Sequence, residues 1–139
     1  MSYVLDASVT CAWAFADEAT PALDDLLDRA ATTEVFVPPL WRPEVLNVLV
    51  QAARRGRMTI TDVLTFWRAL EGLRIRVSAY EPPADTVVEL CQKYGLTAYD
   101  AQYLALAQWM NLPLATLDGP LATAARQEGV EVLGGPRLA

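Results

Sequence analysis

Apolar residues along this chain fall into short runs that alternate with longer stretches of helical spacing, from one end to the other. Ser2 to Leu5 reads as a strand ending at Asp6, and Ser8 is placed to cap a helix that begins around Val9 and carries Trp13 and Phe15. A second helix is expected after Pro21, with Leu23, Leu26 and Leu27 on its apolar side. Val35, Phe36 and Val37 form a strand closed by Pro38 and Pro39. From Pro43, the spacing of Val45, Val48, Leu49 and Ala52 predicts a helix ending near Arg54-Arg55-Gly56. Thr61 is the expected cap of the next helix, which contains Leu64, Trp67 and Leu70, and Ile75 and Val77 mark a strand after Gly72. A helix from Pro83 to Lys93 should stop before Gly95, and a more apolar one should run from Tyr99 to Met110. Leu114 to Leu117 is a strand, Gly119-Pro120 opens a helix through Gln127, and Val130 to Leu133 supplies the last strand.

Helices alternating with short hydrophobic strands indicate an α/β fold: an open, mainly parallel sheet covered by helices, which gathers ligand groups beyond the carboxyl ends of its strands. Asp6 and Asp118 each follow a strand, and Glu44 and Asp100 fall in first turns of helices. The 139 residues fit a single domain spanning 1–139, with no repeat, linker or low-complexity segment.

Composition narrows the chemistry. Histidine is absent, which removes Ser-His-Asp and Cys-His catalysis, histidine zinc sites and nucleases built on paired histidines. Cys11 and Cys91 lack metal or redox spacing and read as reduced thiols of a cytoplasmic protein. Neither a secretory signal nor a membrane span is expected. The net charge of -6 argues against nucleic-acid binding by overall positive charge, although the four acids named above account for most of that excess. Ten of the 11 basic residues are arginine, the side chain suited to bidentate phosphate contacts.

Each of the four acids has a structural reading on its own. Asp6 and Asp118 suit helix N-caps, and Glu44 complements a positive helix terminus. Asp100 is less easily explained, because it opens a markedly apolar helix. Taken together at strand ends and helix starts, the four can converge on one rim, where a hard divalent cation would relieve their repulsion. An oxygen-only donor set suits magnesium, or manganese, better than zinc, and such a cation can activate water for attack on a phosphodiester. Asp62, Asp85 and Glu89 lie in helical contexts and read as surface acids.

The opening Tyr3-Val4-Leu5-Asp6-Ala7-Ser8 resembles the start of a PIN domain, and Leu96-Thr97-Ala98-Tyr99-Asp100-Ala101-Gln102-Tyr103-Leu104-Ala105-Leu106-Ala107 is similar to the motif of bacterial VapC toxins. Pro43-Glu44-Val45-Leu46-Asn47-Val48-Leu49 resembles the segment that supplies the family's glutamate, and Leu114-Ala115-Thr116-Leu117-Asp118-Gly119-Pro120-Leu121 its last acidic motif. Gly119 departs from the basic or polar residue that many relatives carry there. The resemblance spans nearly the whole chain and implies a PIN-like three-layer α/β/α fold. It further implies a magnesium-dependent endoribonuclease whose catalytic and metal-binding acids are Asp6, Glu44, Asp100 and Asp118, with Ser8 and Thr97 as auxiliary hydroxyls. It implies, too, the toxin of a type II toxin–antitoxin pair: a homodimer restrained by a cognate antitoxin that occupies the active-site groove.

Arg42, Arg54 and Arg55 are candidates for RNA-backbone contacts, which fix position without reading sequence. Trp13, Phe15 and the broad apolar girth of the Glu44 helix are expected in the core, or alternatively at a dimer surface and a groove for a partner helix. Two rivals remain. One is a PIN protein that processes RNA without being a toxin. The other is a non-catalytic regulatory or binding module of receiver type, disfavoured because the only lysine, Lys93, does not follow a strand.

Overall fold

The computed structural model describes residues 1–135. Five strands, β1 (Val4–Leu5), β2 (Val35–Val37), β3 (Ile75–Val77), β4 (Leu114–Ala115) and β5 (Val132–Leu133), form one sheet in the order β3-β2-β1-β4-β5. Every neighbouring pair is parallel, with Val4 opposite Phe36 on one side and Leu114 on the other. The helices are α1 (Ala7–Ala12), α2 (Pro21–Thr32), α3 (Trp41–Arg54), α4 (Ile60–Glu71), α5 (Ala84–Tyr94), α6 (Ala98–Met110) and α7 (Gly119–Gln127), with a 3-10 turn at Ala16–Glu18. The α/β fold with a central parallel sheet is therefore the one that the alternating pattern predicts.

Short strands suffice because β1 and β4 are buried at every residue and are flanked on both edges. Helix α6 explains its own sequence: Ala101 and every residue from Tyr103 to Ala107 are buried, so apolar residues surround it instead of forming a stripe. Gly95 ends α5 at φ 67°, a left-handed conformation that glycine adopts without steric penalty. Among the described residues, no helix is long and apolar enough to cross a membrane.

Four local readings change. Helix α1 starts at Ala7, so Ser8 lies inside it and Asp6 takes the position before it. The same helix ends at Ala12, which leaves Trp13 and Phe15 in the following turn. Both are packed there: Trp13 Nε1 donates to the Leu23 carbonyl at 3.0 Å, and the Arg57 guanidinium lies 3.7 Å from the Phe15 ring centre. Helix α3 begins at Trp41, with Pro43 in its first turn, where no intrahelical donor is needed. Thr59, not Thr61, caps α4, because Thr59 and Asp62 satisfy each other's backbone N–H in a reciprocal capping box.

Leu104 is fully buried at the centre of α6 and Val88 of α5 is 56% exposed, so they separate core packing from helix propensity. Leu104→Ala is expected to lower unfolding free energy by about 2–5 kcal/mol, and Val88→Ala to change it by no more than about 0.5 kcal/mol. Denaturant titration of both variants measures the contrast; equal losses would contradict the placement of α6 in the core.

Candidate active site

Strand order outlines the site before any side chain is considered. The chain builds β1, β2 and β3 outward on one side, then crosses back to place β4 against the other side of β1. A crevice opens at such a reversal, beyond the carboxyl ends of the two strands. Asp6 follows β1 directly, and Asp118 follows β4 and caps α7. Glu44 lies in the first turn of α3, which leaves β2, and Asp100 in the first turn of α6, which leads back into β4. All four carboxylates line one cavity of about 340 Å³, together with Ser8, Cys11, Asn47 and Val48. A larger depression of about 780 Å³ beside Pro21, Leu117 and Gly134 contains none of the four.

Hydroxyl groups hold the deepest acid. Asp6 is only 5% exposed, and its Oδ2 accepts from Ser8 Oγ at 2.6 Å and from Thr116 Oγ1 at 2.7 Å. Those hydroxyls are oriented in turn by backbone donors: Leu117 N–H to Ser8 Oγ at 2.9 Å, and Asp118 N–H to Thr116 Oγ1 at 3.0 Å. Both donors fall on Oδ2, so neither engages the second carboxylate oxygen. Asp118 Oδ2 accepts the Leu121 N–H at 2.9 Å, and Glu44 Oε1 accepts the Tyr103 hydroxyl at 2.5 Å. Thr97 is exposed and caps α6 by accepting the Asp100 N–H at 3.1 Å.

The acids shift one another. Burial pushes the Asp6 carboxyl up, the hydroxyls of Ser8 and Thr116 oppose that shift, and Asp118 adds to it. Burial likewise raises Glu44, against the Tyr103 hydrogen bond and with repulsion from Asp6 and Asp100. Asp100 rises through burial and then through Asp118 and Asp6. Among the described residues, no lysine or arginine lines the cavity. The positive ends of α3, α6 and α7 face this rim and offset part of the repulsion. Among the described residues, no three acidic or thiol side chains stand close enough to grip a metal ion as they are. The cavity is a rim of carboxylates, not a closed cage.

Sequence reasoning passed over two residues that touch these acids, Thr116 and Tyr103. Both lie inside motifs already singled out, and a hydroxyl two residues before Asp118 was the available signal for Thr116.

The family model of the PIN domain matches residues 3–127. Ribonuclease VapC3 of Pyrobaculum aerophilum is 31% identical over 129 residues, covering 88% of this chain and 93% of the relative. The chain belongs to the PIN-domain family. Among solved structures, PAE2754 from Pyrobaculum aerophilum superposes with a TM-score of 0.73 at 25% identity, covering 95% of this chain and 89% of that one. VapBC2 from Rickettsia felis, bound to a DNA fragment from their promoter, gives a TM-score of 0.61 at 14% identity, covering 95% of this chain and 97% of that one, and shows a shared fold.

Among the described residues, the arginines of this PIN domain stand outside the cavity. Arg42 precedes Glu44 by two residues and lies over the Trp67 ring, 5.1 Å from its centre. Arg54 and Arg55 sit at the far end of α3, about 15 Å along the helix from Glu44. Asp62, Asp85 and Glu89 are exposed and lie outside the acidic cavity. Cys11 and Cys91 are free thiols.

The raised carboxyls of this PIN domain set the sign of a pH effect. A carboxyl with a higher pKa in the folded state contributes stability that is complete below its unfolded value, about 3.9 for aspartate, and lost as pH rises through the folded value. Asp100 is such a group. In chelator, the melting temperature of Asp100→Asn relative to wild type is expected to climb as pH is raised from about 4 to 7. Thermal melts across that range test it, and a flat or falling difference would contradict the crowding of Asp100 by its neighbours.

Proposed function

We propose that this PIN domain, as a single unit over 1–139, is a magnesium-dependent endoribonuclease and the toxin of a type II toxin–antitoxin pair. The observation that carries this reading is the convergence of Asp6, Glu44, Asp100 and Asp118 on one cavity at the β1/β4 crevice, with hydroxyl donors and, among the described residues, no basic side chain between them.

The donor set fits a hard cation. Cys11 also lines the cavity, but burial first, and the Asp6, Glu18 and Glu44 charges after it, push its thiol up to about 12, so it remains a neutral thiol and offers no thiolate. With histidine absent, oxygen ligands are what remain, the preference of magnesium and manganese. When bound, such a cation supplies Lewis acidity at a phosphoryl oxygen and lowers the pKa of water. Asp6, fixed by Ser8 and Thr116, and Asp118, fixed at the start of α7, would hold it from the sheet side, with Asp100 and Glu44 on the helix side. Ser8 and Thr116 act through Asp6, and Thr97 acts through the start of α6.

RNA is the proposed substrate. Arg42, Arg54 and Arg55 are exposed and, among the described residues, take part in no ion pair, so they remain available to a backbone that extends beyond the cavity. Val48, 43% exposed, lines the cavity from α3, and Ile60 and Leu64 are exposed on the neighbouring α4. An amphipathic antitoxin segment laid over these residues would exclude RNA from the carboxylates. The solved relatives include a toxin–antitoxin complex from Klebsiella pneumoniae, which matches this chain in fold. A cytoplasmic homodimer completes the reading.

Asp100→Asn keeps nearly the same volume and removes one negative charge, so folding should survive while cleavage suffers. Single-turnover cleavage of an identified RNA should fall at least about tenfold, equivalent to about 1.4 kcal/mol of transition-state stabilisation. Recovery at high magnesium would assign the defect to metal affinity, and persistence at saturation to misplaced chemistry. A folded variant that cleaves at the wild-type rate across the titration would remove Asp100 from the site.

A further inference from the structure

Glu44 is the acid whose carboxylate is held by a phenol from another helix. Asp6 is clasped by two hydroxyls, Asp118 is tied to its own helix start, and Asp100 has its backbone N–H fixed by the Thr97 cap. Glu44 has a longer side chain, with more rotamer freedom to lose, and sits half-buried on a different element. The contact described for its carboxylate is the Tyr103 hydroxyl, 2.5 Å from Oε1 and 59 residues away in sequence.

Tyr103 is well built for that task. Its ring is fully buried in α6, so the phenol has little freedom to move. It lies three residues after Asp100, on the same side of the helix, so α6 presents one acid directly and tethers another. A phenol carries its proton at neutral pH, so the Tyr103 hydroxyl is the donor in this bond and the Glu44 carboxylate the acceptor. A phenylalanine would fill the same core space, and only the hydroxyl needs a partner there.

Resting on the acidic-site reading above, we infer that Tyr103 is a positioning residue for that site: its hydroxyl holds Glu44 in the orientation that faces the cavity. The role works through Glu44 and requires no contact between Tyr103 and metal or RNA. Partners that orient ligands in this way typically matter about 10–100-fold to metal affinity or activity.

The molecule contains its own control. Tyr3 is equally buried, and its hydroxyl donates to the Leu26 carbonyl at 2.6 Å, outside the acidic cavity. The full chain and the variants Tyr103→Phe, Tyr3→Phe, Glu44→Gln and Tyr103→Phe/Glu44→Gln are titrated with Mn²⁺ by calorimetry, with thermal melts in parallel. Tyr103→Phe is expected to weaken Mn²⁺ binding about tenfold, whereas Tyr3→Phe lowers the melting temperature and leaves Mn²⁺ affinity unchanged. In the Glu44→Gln background, Tyr103→Phe should add little, because the group it orients has lost its charge. Wild-type Mn²⁺ affinity in Tyr103→Phe, or an equal loss with and without Glu44, overturns the inference while leaving the acidic site intact. Wild-type protein that binds no Mn²⁺ overturns the site reading and this role together. If Tyr103→Phe does not fold, Glu44→Asp carries the test: it keeps the charge but draws the carboxylate back from the phenol, and undiminished Mn²⁺ affinity there refutes the role.

Discussion

Carboxylates placed close together in a protein repel, and burying one of them raises the cost further. Asp6, almost fully enclosed at the end of the central strand, is where this constraint is most severe, and the surrounding structure is arranged to tolerate it. Two hydroxyls donate to it, backbone amides orient those hydroxyls, and three helices direct their positive ends toward the same rim. Each device also fixes geometry, so the measures that make the charge tolerable define where the acids stand. What they leave uncompensated is part of the mutual repulsion of the acids.

The fold was legible because its evidence is local. Short apolar runs bounded by Pro38, Gly72 and Gly119 give strand positions, and the apolar circumference of α6 shows that it lies between other elements. The four acids were legible for a related reason: strand ends and helix starts are local features, and a parallel sheet gathers them at one end. Contacts that depend on three-dimensional pairing were not. No spacing in the sequence links Tyr103 to Glu44 or Thr116 to Asp6, because each hydrogen bond joins residues brought together only by the finished sheet. Cap positions failed on a smaller scale. Thr59 and Thr61 are chemically equivalent candidates, and only the one three residues before Asp62 completes a reciprocal pair.

The basic side chains of this acidic chain divide into two groups. Here Arg57 is engaged by Asp17 and Glu18, Arg76 by Glu34 and Lys93 by Glu128, so part of the basic complement serves the scaffold. Arg42 and the pair at the end of α3 stand apart from these ion pairs and from the acidic cavity alike. Helix α3 therefore keeps positive charge at its two ends although the net charge of the chain is negative.

Strands β1 and β4 are neighbours in the sheet, yet the Thr116 hydroxyl that clasps Asp6 lies 110 residues further along the chain. Closing so long a loop is entropically slow, and on a ribosome it has to wait until the second partner has been made. A nascent chain therefore carries Asp6 through the synthesis of the next 110 residues without the strand and hydroxyl that set it in place. An interrupted translation product ending before β4 would hold three of the four acids, lacking Asp118, and no assembled crevice. Sequence order thus withholds the full set of carboxylates until β4 and Asp118 have been made.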